Sequence, residues 1–239
     1  RTCDRPCEPA CRRSRVEESN GAQPEPVAIC RLKRVAADHK SEGIKARMPA
    51  IAEHNGKRVA CVGAGPASLT VARDLAPLGY EITVFDGEAK AGGFIRSQIP
   101  RFRLPESVID EETGYILDMG VQFRKQERVD SLRALLQQGY DAVFVGSGAP
   151  RGRDLEIPGR RDIKGNIHIG IDWLASVSFG HITSVAPRVI VLGGGNTAMD
   201  CCRSARRLGG TDVKVIVRSG FDEMKASPWE KEDALHEGI

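Results

Sequence analysis

"KRVACVGAGPASLTVARDL", residues 57–75, is the stretch on which the fold turns. "RVACVG" is a short, wholly apolar, β-branched run, the composition of a strand buried on both faces. "PASLTVARDLAPLG" then spaces apolar residues as a helix does, up to Gly79, a residue that closes helices in the left-handed conformation. Strand, glycine turn and helix in direct succession open a dinucleotide-binding βαβ unit. In "GAGPAS" Gly63 permits the tight turn out of the strand, and Gly65 lets backbone approach a pyrophosphate with no Cβ in the way. Pro66 suits the first helical turn because its missing N–H needed no partner there. The helix start offers its unpaired N–H groups and the positive end of its dipole to phosphates. The third fingerprint position is Ser68, where Gly is usual, which predicts slightly looser packing of helix on strand.

The second strand, "YEITVFD", ends on Asp86, roughly 20 residues beyond the loop, where a carboxylate accepts hydrogen bonds from a ribose. "AGGFIRSQIP" follows, and its doublet Gly92 and Gly93 allows a second close backbone approach to a long cofactor. That favours FAD over a bare nucleotide.

Outward from this unit the β–α alternation continues. "PESVIDEETGYILDMG" is a predicted helix, "VQFRK" a strand, "SLRALLQQG" a helix and "YDAVFVGSGA" another buried strand. Residues 151–186 form a connection with a short helix around 172–177. Then "RVIVLGGGNTAMDCCRSARRLGG" begins the strand–turn–helix again, followed by the strand "DVKVIVR". Such alternation implies a parallel, doubly wound sheet.

In "GGGNTAMD" Gly193, Gly195 and Ala198 fill the three fingerprint positions, with Asn196 and Thr197 between them at the helix start. Where an NAD-specific site places a carboxylate, this chain has Arg218. A guanidinium pairs with a 2′-phosphate in a charge-assisted fork, which favours NADP over NAD, NAD remaining usable. The structural alternative is an ordinary exposed arginine at a strand end. One flavin site and one nicotinamide site together imply hydride transfer, a step that requires no side-chain acid or base, so no catalytic residue is nominated.

The 239 residues, 41% hydrophobic and 28% charged, describe an ordinary globular chain with a net charge of +3, too small to argue for nucleic acid. The basic pairs Arg12–Arg13, Arg160–Arg161 and Arg206–Arg207 are read as solvated faces or contacts to cofactor phosphates. No apolar run approaches the roughly 20 residues that span a bilayer, and no export leader precedes the chain, so a soluble, cytoplasmic protein is expected. Beginning at Arg1, the chain is expected to be a fragment.

Residues 1–50 carry no strand signal. "EPVAICRLKRVAADHK" predicts a helix from Pro26 to His39, after a polar loop, "ESNGAQPEP", and before a linker, "KSEGIKARMPAIAEHNG". "TCDRPCEPACRR" spaces Cys3, Cys7 and Cys11 four apart, and Pro6 and Pro9 oppose a continuous helix. Three soft ligands on a looping path suggest iron–sulfur ligation. A zinc site is the rival, but neither Cys30 nor a nearby His stands at a finger spacing. Cys61, Cys201 and Cys202 are expected to pack as small hydrophobes, and adjacent cysteines are not the CxxC of a disulfide reductase.

With these elements in order, the chain resembles the family of the glutamate synthase small (β) subunit, which includes the amino-terminal half of dihydropyrimidine dehydrogenase. The resemblance rests on "CDRPCEPACRR", "EPVAICRLKRVAAD", "GAGPASLTVARDLAPLGYEITVFD", "AGGFIRSQIPRFRLP", "YDAVFVGSGA", "VIVLGGGNTAMDCCRSA" and "VRSGFDEM". It implies two Rossmann-like nucleotide-binding domains preceded by a small α-helical segment carrying 4Fe-4S clusters. The implied boundaries are 1–50 for that segment, 51–56 for a linker, 57–150 for the FAD domain, 151–186 for a connection and 187–239 for the NADPH domain. NADPH would reduce FAD, and electrons would pass singly through the clusters to a catalytic large subunit or downstream catalytic domain. The family has further upstream cysteines, so Cys3, Cys7 and Cys11 would be shared between two clusters. Alternatives are a docking subunit without redox activity, an NAD-linked electron-input subunit of a formate-type dehydrogenase and a self-contained flavoenzyme.

Overall fold

Alternating apolar residues and glycine corners build the larger part of the molecule. The computed structural model describes residues 2, 3, 5–16, 21, 22, 24–40, 48–160, 162, 163 and 165–239. Residues 41–47 of the expected linker, 18–20 and 23 of the expected polar loop, and Arg161 lie outside them. Two compact units divide the chain, Arg1–Pro49 and Ala50–Ile239.

The first unit contains a 3-10 turn, Arg12–Arg15, and helix α1 (Ile29–Asp38). α1 starts later than Pro26, and Ala28 at its head makes no side-chain cap. The Glu8 carboxylate serves instead, accepting the Cys30 N–H at 3.0 Å. A cap supplied from 22 residues away fixes the start of α1. None of this unit's described residues is buried.

In the second unit β1 (Arg58–Val62), β2 (Glu81–Asp86), β3 (Gln122–Lys125) and β4 (Ala142–Val145) form one sheet in the order β3-β2-β1-β4. All three pairings are parallel, Val62 opposing Phe85 on one side and Val145 on the other. α2 (Pro66–Leu75) packs on β1 and β2, and α5 (Leu132–Gln137) on β4. Ala60, Phe85, Leu135 and Tyr140 form one core cluster, with Phe85 and Tyr140 edge to face at 6.1 Å. β4 was expected to be buried, but it is an edge strand paired only with β1, and Val145 is 53% exposed.

α3 (Phe94–Ser97) and α4 (Glu106–Leu117) lie between β2 and β3, and α6 (Gly170–Ser178) follows β4. A separate parallel pair, β5 (Arg188–Leu192) and β6 (Asp212–Ile216), flanks α7 (Asn196–Arg207) in sequence, and α8 (Pro228–His236) packs against α7. α3 and α8 carry too weak an apolar period to be read from the sequence. The observed class is thus α/β with parallel sheets.

Because the chain runs β1, β2, β3 and then returns to β4 on the other side of β1, the order reverses between β1 and β4. Parallel sheets bind ligands in the crevice at such a reversal. Ser68 reaches this corner from α2. It is fully buried, its Oγ has no hydrogen-bond partner among the described residues, and a Cβ on Gly146 would lie 2.2 Å from it. Ser68 thus fills volume that the missing Cβ of Gly146 leaves open.

Gly146→Ala should destabilise the full-length protein by about 1–3 kcal/mol through overpacking. Ser68→Ala, which removes an oxygen that gains nothing from burial, should alone be neutral or stabilising and should restore most of the loss in the double variant. Urea unfolding of the four proteins checks this; additive effects would refute the interlock.

Candidate functional site

The first glycine corner is set by close backbone approach. Gly63 has φ +93°, and a Cβ there would meet the Gly146 carbonyl oxygen at 2.5 Å. Any other residue would face both left-handed strain and a collision with main chain. The Gly63 N–H donates to Phe85 O and the Gly146 N–H to Val62 O, both at 2.8 Å, so the corner hangs on both neighbouring strands. Gly65 begins α2 with no side-chain cap, and Pro66 follows at the first turn. Beyond a contact of 4.0 Å with Gly93 Cα, the Cβ position of Gly65 faces open space.

Asp86 stands at the end of β2, as its position predicts, and its carboxylate organises the loop. It accepts the Ala64 N–H at 2.5 Å and the Glu88 N–H at 2.8 Å. Gly92 and Gly93 also turn toward the first loop: Gly92 N–H donates to Ala64 O at 2.8 Å, and a Cβ on Gly93 would lie 2.7 Å from Gly65 Cα. Both have positive φ, +135° and +51°. The structure thus brings Gly63, Gly65, Pro66, Ser68, Asp86, Gly92 and Gly93 to one corner, in which two glycine segments pack back to back.

Arg96 is a member of this corner that motif reading missed. It is only 3% exposed, and its Nε donates to Ala91 O at 2.7 Å. Its two terminal nitrogens pair with Glu106 at 2.9 Å and Asp110 at 2.7 Å on α4. The guanidinium therefore pins the glycine doublet to α4. A lone arginine two residues after "GGF" offers no signal of burial in the sequence.

The second corner repeats the plan with looser walls. Gly193 has φ +129° and no atom within 4 Å of a Cβ position, so it needs glycine for conformation alone. Gly195 heads α7 without a side-chain cap and also faces open space. Asn196 accepts the Ser227 N–H at 2.8 Å and donates to Ser227 Oγ at 3.4 Å, tying the chain before α8 to the helix start. Thr197 is exposed, Ala198 is buried, and Arg218 is exposed two residues past β6. Arg206 and Arg207, read as solvated or phosphate-facing, stay half-buried and exposed respectively while bonding back to the fold. Arg206 donates to the carbonyls of Gly210, Thr211 and Glu237, and Arg207 pairs with Glu237.

In the first unit, Cys7 Sγ lies 3.9 Å from Cys30 Sγ, and Lys33 Nζ lies 3.7 Å from Cys3 Sγ. Backbone N–H from Arg5, then the Cys30 thiol, lower the Cys3 pKa below the usual thiol value. N–H groups of Val27 and Arg13 lower that of Cys11. Cys30 is pushed up to about 11 by desolvation and then by the Cys3 and Cys7 thiols. Cys30 does not stand at a finger spacing, yet the Glu8 cap brings it beside Cys7. Among the described residues no group of three or more His, Cys, Asp or Glu is closed up to hold a single metal ion. Thiols that accept backbone N–H groups nevertheless suit a thiolate-bound iron–sulfur group, whose sulfurs take such bonds. The other cysteines are buried, with pKa raised by burial to about 11 for Cys61, 12 for Cys201 and 11 for Cys202.

No helix among the described residues is long and apolar enough to cross a membrane. The pyridine nucleotide-disulphide oxidoreductase profile matches residues 57–238, the span of both glycine corners. The NADPH-Fe(3+) oxidoreductase subunit beta of Geobacter sulfurreducens is 36% identical over 244 residues, covering 100% of this chain and 35% of that protein. The glutamate synthase [NADPH] small chain of Azospirillum brasilense is 35% identical over 210 residues, covering 82% of this chain and 43% of that one. The matched stretches span 35% and 43% of the lengths of these two relatives. The resemblance to the glutamate synthase small-subunit family is borne out. Among solved structures, FprA of Mycobacterium tuberculosis in complex with NADPH matches with a TM-score of 0.61 at 20% identity, over 75% of this chain and 47% of that one. This last likeness shows the fold alone.

The thiols predict an order of alkylation in metal-free, reduced protein, because only the thiolate reacts. As pH rises, Cys3 and Cys11, with lowered pKa, should label first and Cys30 well after them. Cys61, Cys201 and Cys202 should label only on unfolding. Peptide mass mapping across pH checks this; Cys30 labelling before Cys3 would refute the assignment.

Proposed function

The chain belongs to the pyridine nucleotide-disulphide oxidoreductase family, and from that premise we propose that it is the electron-input part of a larger oxidoreductase. It passes a hydride between NADPH and FAD, and then single electrons through 4Fe-4S clusters to a catalytic partner subunit or domain. The observation that carries this reading is the pair of strand–glycine–helix corners. Each has an uncapped helix start and open space at its second glycine, Gly65 or Gly195, where a Cβ would intrude. Such corners suit the phosphates of two dinucleotides.

The bound flavin and nicotinamide supply the hydride chemistry, and the chain's residues hold and orient them. Gly63, Gly65, Pro66 and Ser68 shape the flavin's phosphate corner, and Gly92 and Gly93 close its far side. Asp86 steadies that loop and keeps lone pairs for a ribose hydroxyl, since a carboxylate accepts about four hydrogen bonds. Gly193, Gly195, Asn196, Thr197 and Ala198 form the second corner. Arg218, exposed beside it, meets the 2′-phosphate of NADP(H). Cys3, Cys7 and Cys11 hold iron–sulfur clusters, with Cys30 beside Cys7.

Domain limits follow the same reading: cysteine segment 1–50, linker 51–56, flavin part 57–150, connection 151–186 and nicotinamide part 187–239. The names of the relatives, NADPH-Fe(3+) oxidoreductase subunit beta and glutamate synthase [NADPH] small chain, support NADPH as the reductant and a partner as the acceptor.

Full-length protein purified without oxygen should be yellow-brown, contain FAD and iron, and lose its flavin absorbance with NADPH. A colourless protein would overturn the proposal in favour of a docking role. Arg218→Glu should raise the half-saturating NADPH concentration at least about tenfold while sparing NADH, because it swaps attraction for repulsion at the 2′-phosphate. Equal effects on both nucleotides would refute that role.

A further inference from the structure

The turn after the flavin-side glycine doublet, "IPRFRLP", is gripped by α7, the helix of the second corner. Arg103 donates from Nη1 to both oxygens of Asp200, at 2.7 and 2.8 Å, and its Nη2 lies 2.7 Å from Glu230 on α8. Arg203 pairs with the other Glu230 oxygen at 2.8 Å and with Asp233 and Glu237 at 3.0 and 2.9 Å. Asp200, Arg203 and Glu230 are all buried. Beside them the Phe102 ring lies under the guanidinium of Arg207 at 3.8 Å and that of Arg203 at 5.0 Å. A second tie runs from Arg101, which donates to Arg96 O at 2.9 Å and to Ser178 O, at the end of α6, at 3.3 Å.

A buried ion network of this kind is poor evidence for stability, because removing charges from water offsets their attraction. Its distinctive property is direction: a guanidinium fork bridging two carboxylates tolerates one geometry, whereas an apolar contact can slide. Here the fork joins the part of the chain that builds the first corner to the helix whose start builds the second. Both corners fall within one compact unit, Ala50–Ile239, as such a joint requires.

We propose that Arg103 is a positioning residue that locks α7, and with it the nicotinamide corner, onto the flavin-side turn, so that hydride transfer proceeds without a swing of one nucleotide fold against the other. The proposal rests on the NADPH–FAD reading above. Hydride transfer is steeply sensitive to donor–acceptor placement, so loosening the lock slows the chemical step more than it weakens NADPH binding.

The test uses full-length protein carrying its FAD. Arg103→Lys keeps the charge but cannot bridge both carboxylates, Asp200→Asn keeps the shape but loses the fork, and Phe102→Leu removes the ring without exposing a buried charge. Two readouts are followed: flavin bleaching by NADPH in a stopped-flow instrument, and amide hydrogen exchange over α7 and residues 100–104. The expected result is unchanged FAD content, a half-saturating NADPH concentration within about threefold of wild type, and a limiting bleaching rate lower by about 10- to 100-fold for the two charge variants. Exchange should rise in α7 and in 100–104 together for all three. Wild-type limiting rates, or exchange unchanged in either segment, overturn the lock. Should NADPH fail to bleach wild-type flavin, the functional reading fails, and exchange alone decides the lock. Variants that do not fold are replaced by Phe102→Leu, for which paired exchange supports the lock and unpaired exchange overturns it.

Discussion

The contact between main chain and main chain at the end of β1 is the constraint from which the rest follows. Gly63 stands where a Cβ would strike the Gly146 carbonyl, and Gly93 where one would strike Gly65. Side chains at either place would separate β1 from β4 or lift the doublet away from the loop. With neither present, the carboxyl ends of two adjacent parallel strands and an uncapped helix start converge at the point where the strand order reverses. Asp86 secures the arrangement by accepting the Ala64 and Glu88 N–H groups. What a phosphate would meet here is backbone with nothing in front of it.

Buried charge carries orientation in this fold, and buried hydrocarbon carries cohesion. The apolar clusters around Phe85 and around Met199 and Cys202 hold each parallel sheet and its helices together. The arginines Arg96, Arg103 and Arg203 do different work: each ties two or more elements together through paired carboxylates. Arg96 fastens the glycine doublet to α4, Arg103 fastens the turn at 100–104 to α7 and α8, and Arg203 fastens α7 to α8. Burial raises the pKa of Asp200, and the Arg103 guanidinium opposes it, so the pair is one in which each charge depends on the other.

The cysteine unit stands on other ground. None of its described residues is buried, so they form no apolar core to offset the entropy of ordering the chain. Small units of that kind are commonly held by metal or disulfide links. A thiol-held cluster would supply the link, and the Glu8 cap on α1 orders Cys7 and Cys30 in advance.

Several features of the molecule were fixed locally and were therefore legible from residues 57–75 outward. The strands of the described residues, both glycine corners and the parallel pairing follow from apolar runs and from glycine's unique access to positive φ, properties of a residue and its immediate neighbours. The bland burial of Cys61, Cys201 and Cys202 belongs with them. The edge position of β4, the meeting of Ser68 with Gly146, the cap that Glu8 gives α1 and the Arg103 fork onto Asp200 and Glu230 were not legible. Each joins residues 22 to 127 positions apart, and which arginine is buried, or which glycine makes room for which serine, depends on chain returning from far away. Periodicity and turn chemistry act within a few residues. Volume exclusion and charge pairing act between whichever groups the fold brings together, so only the tertiary structure decides them.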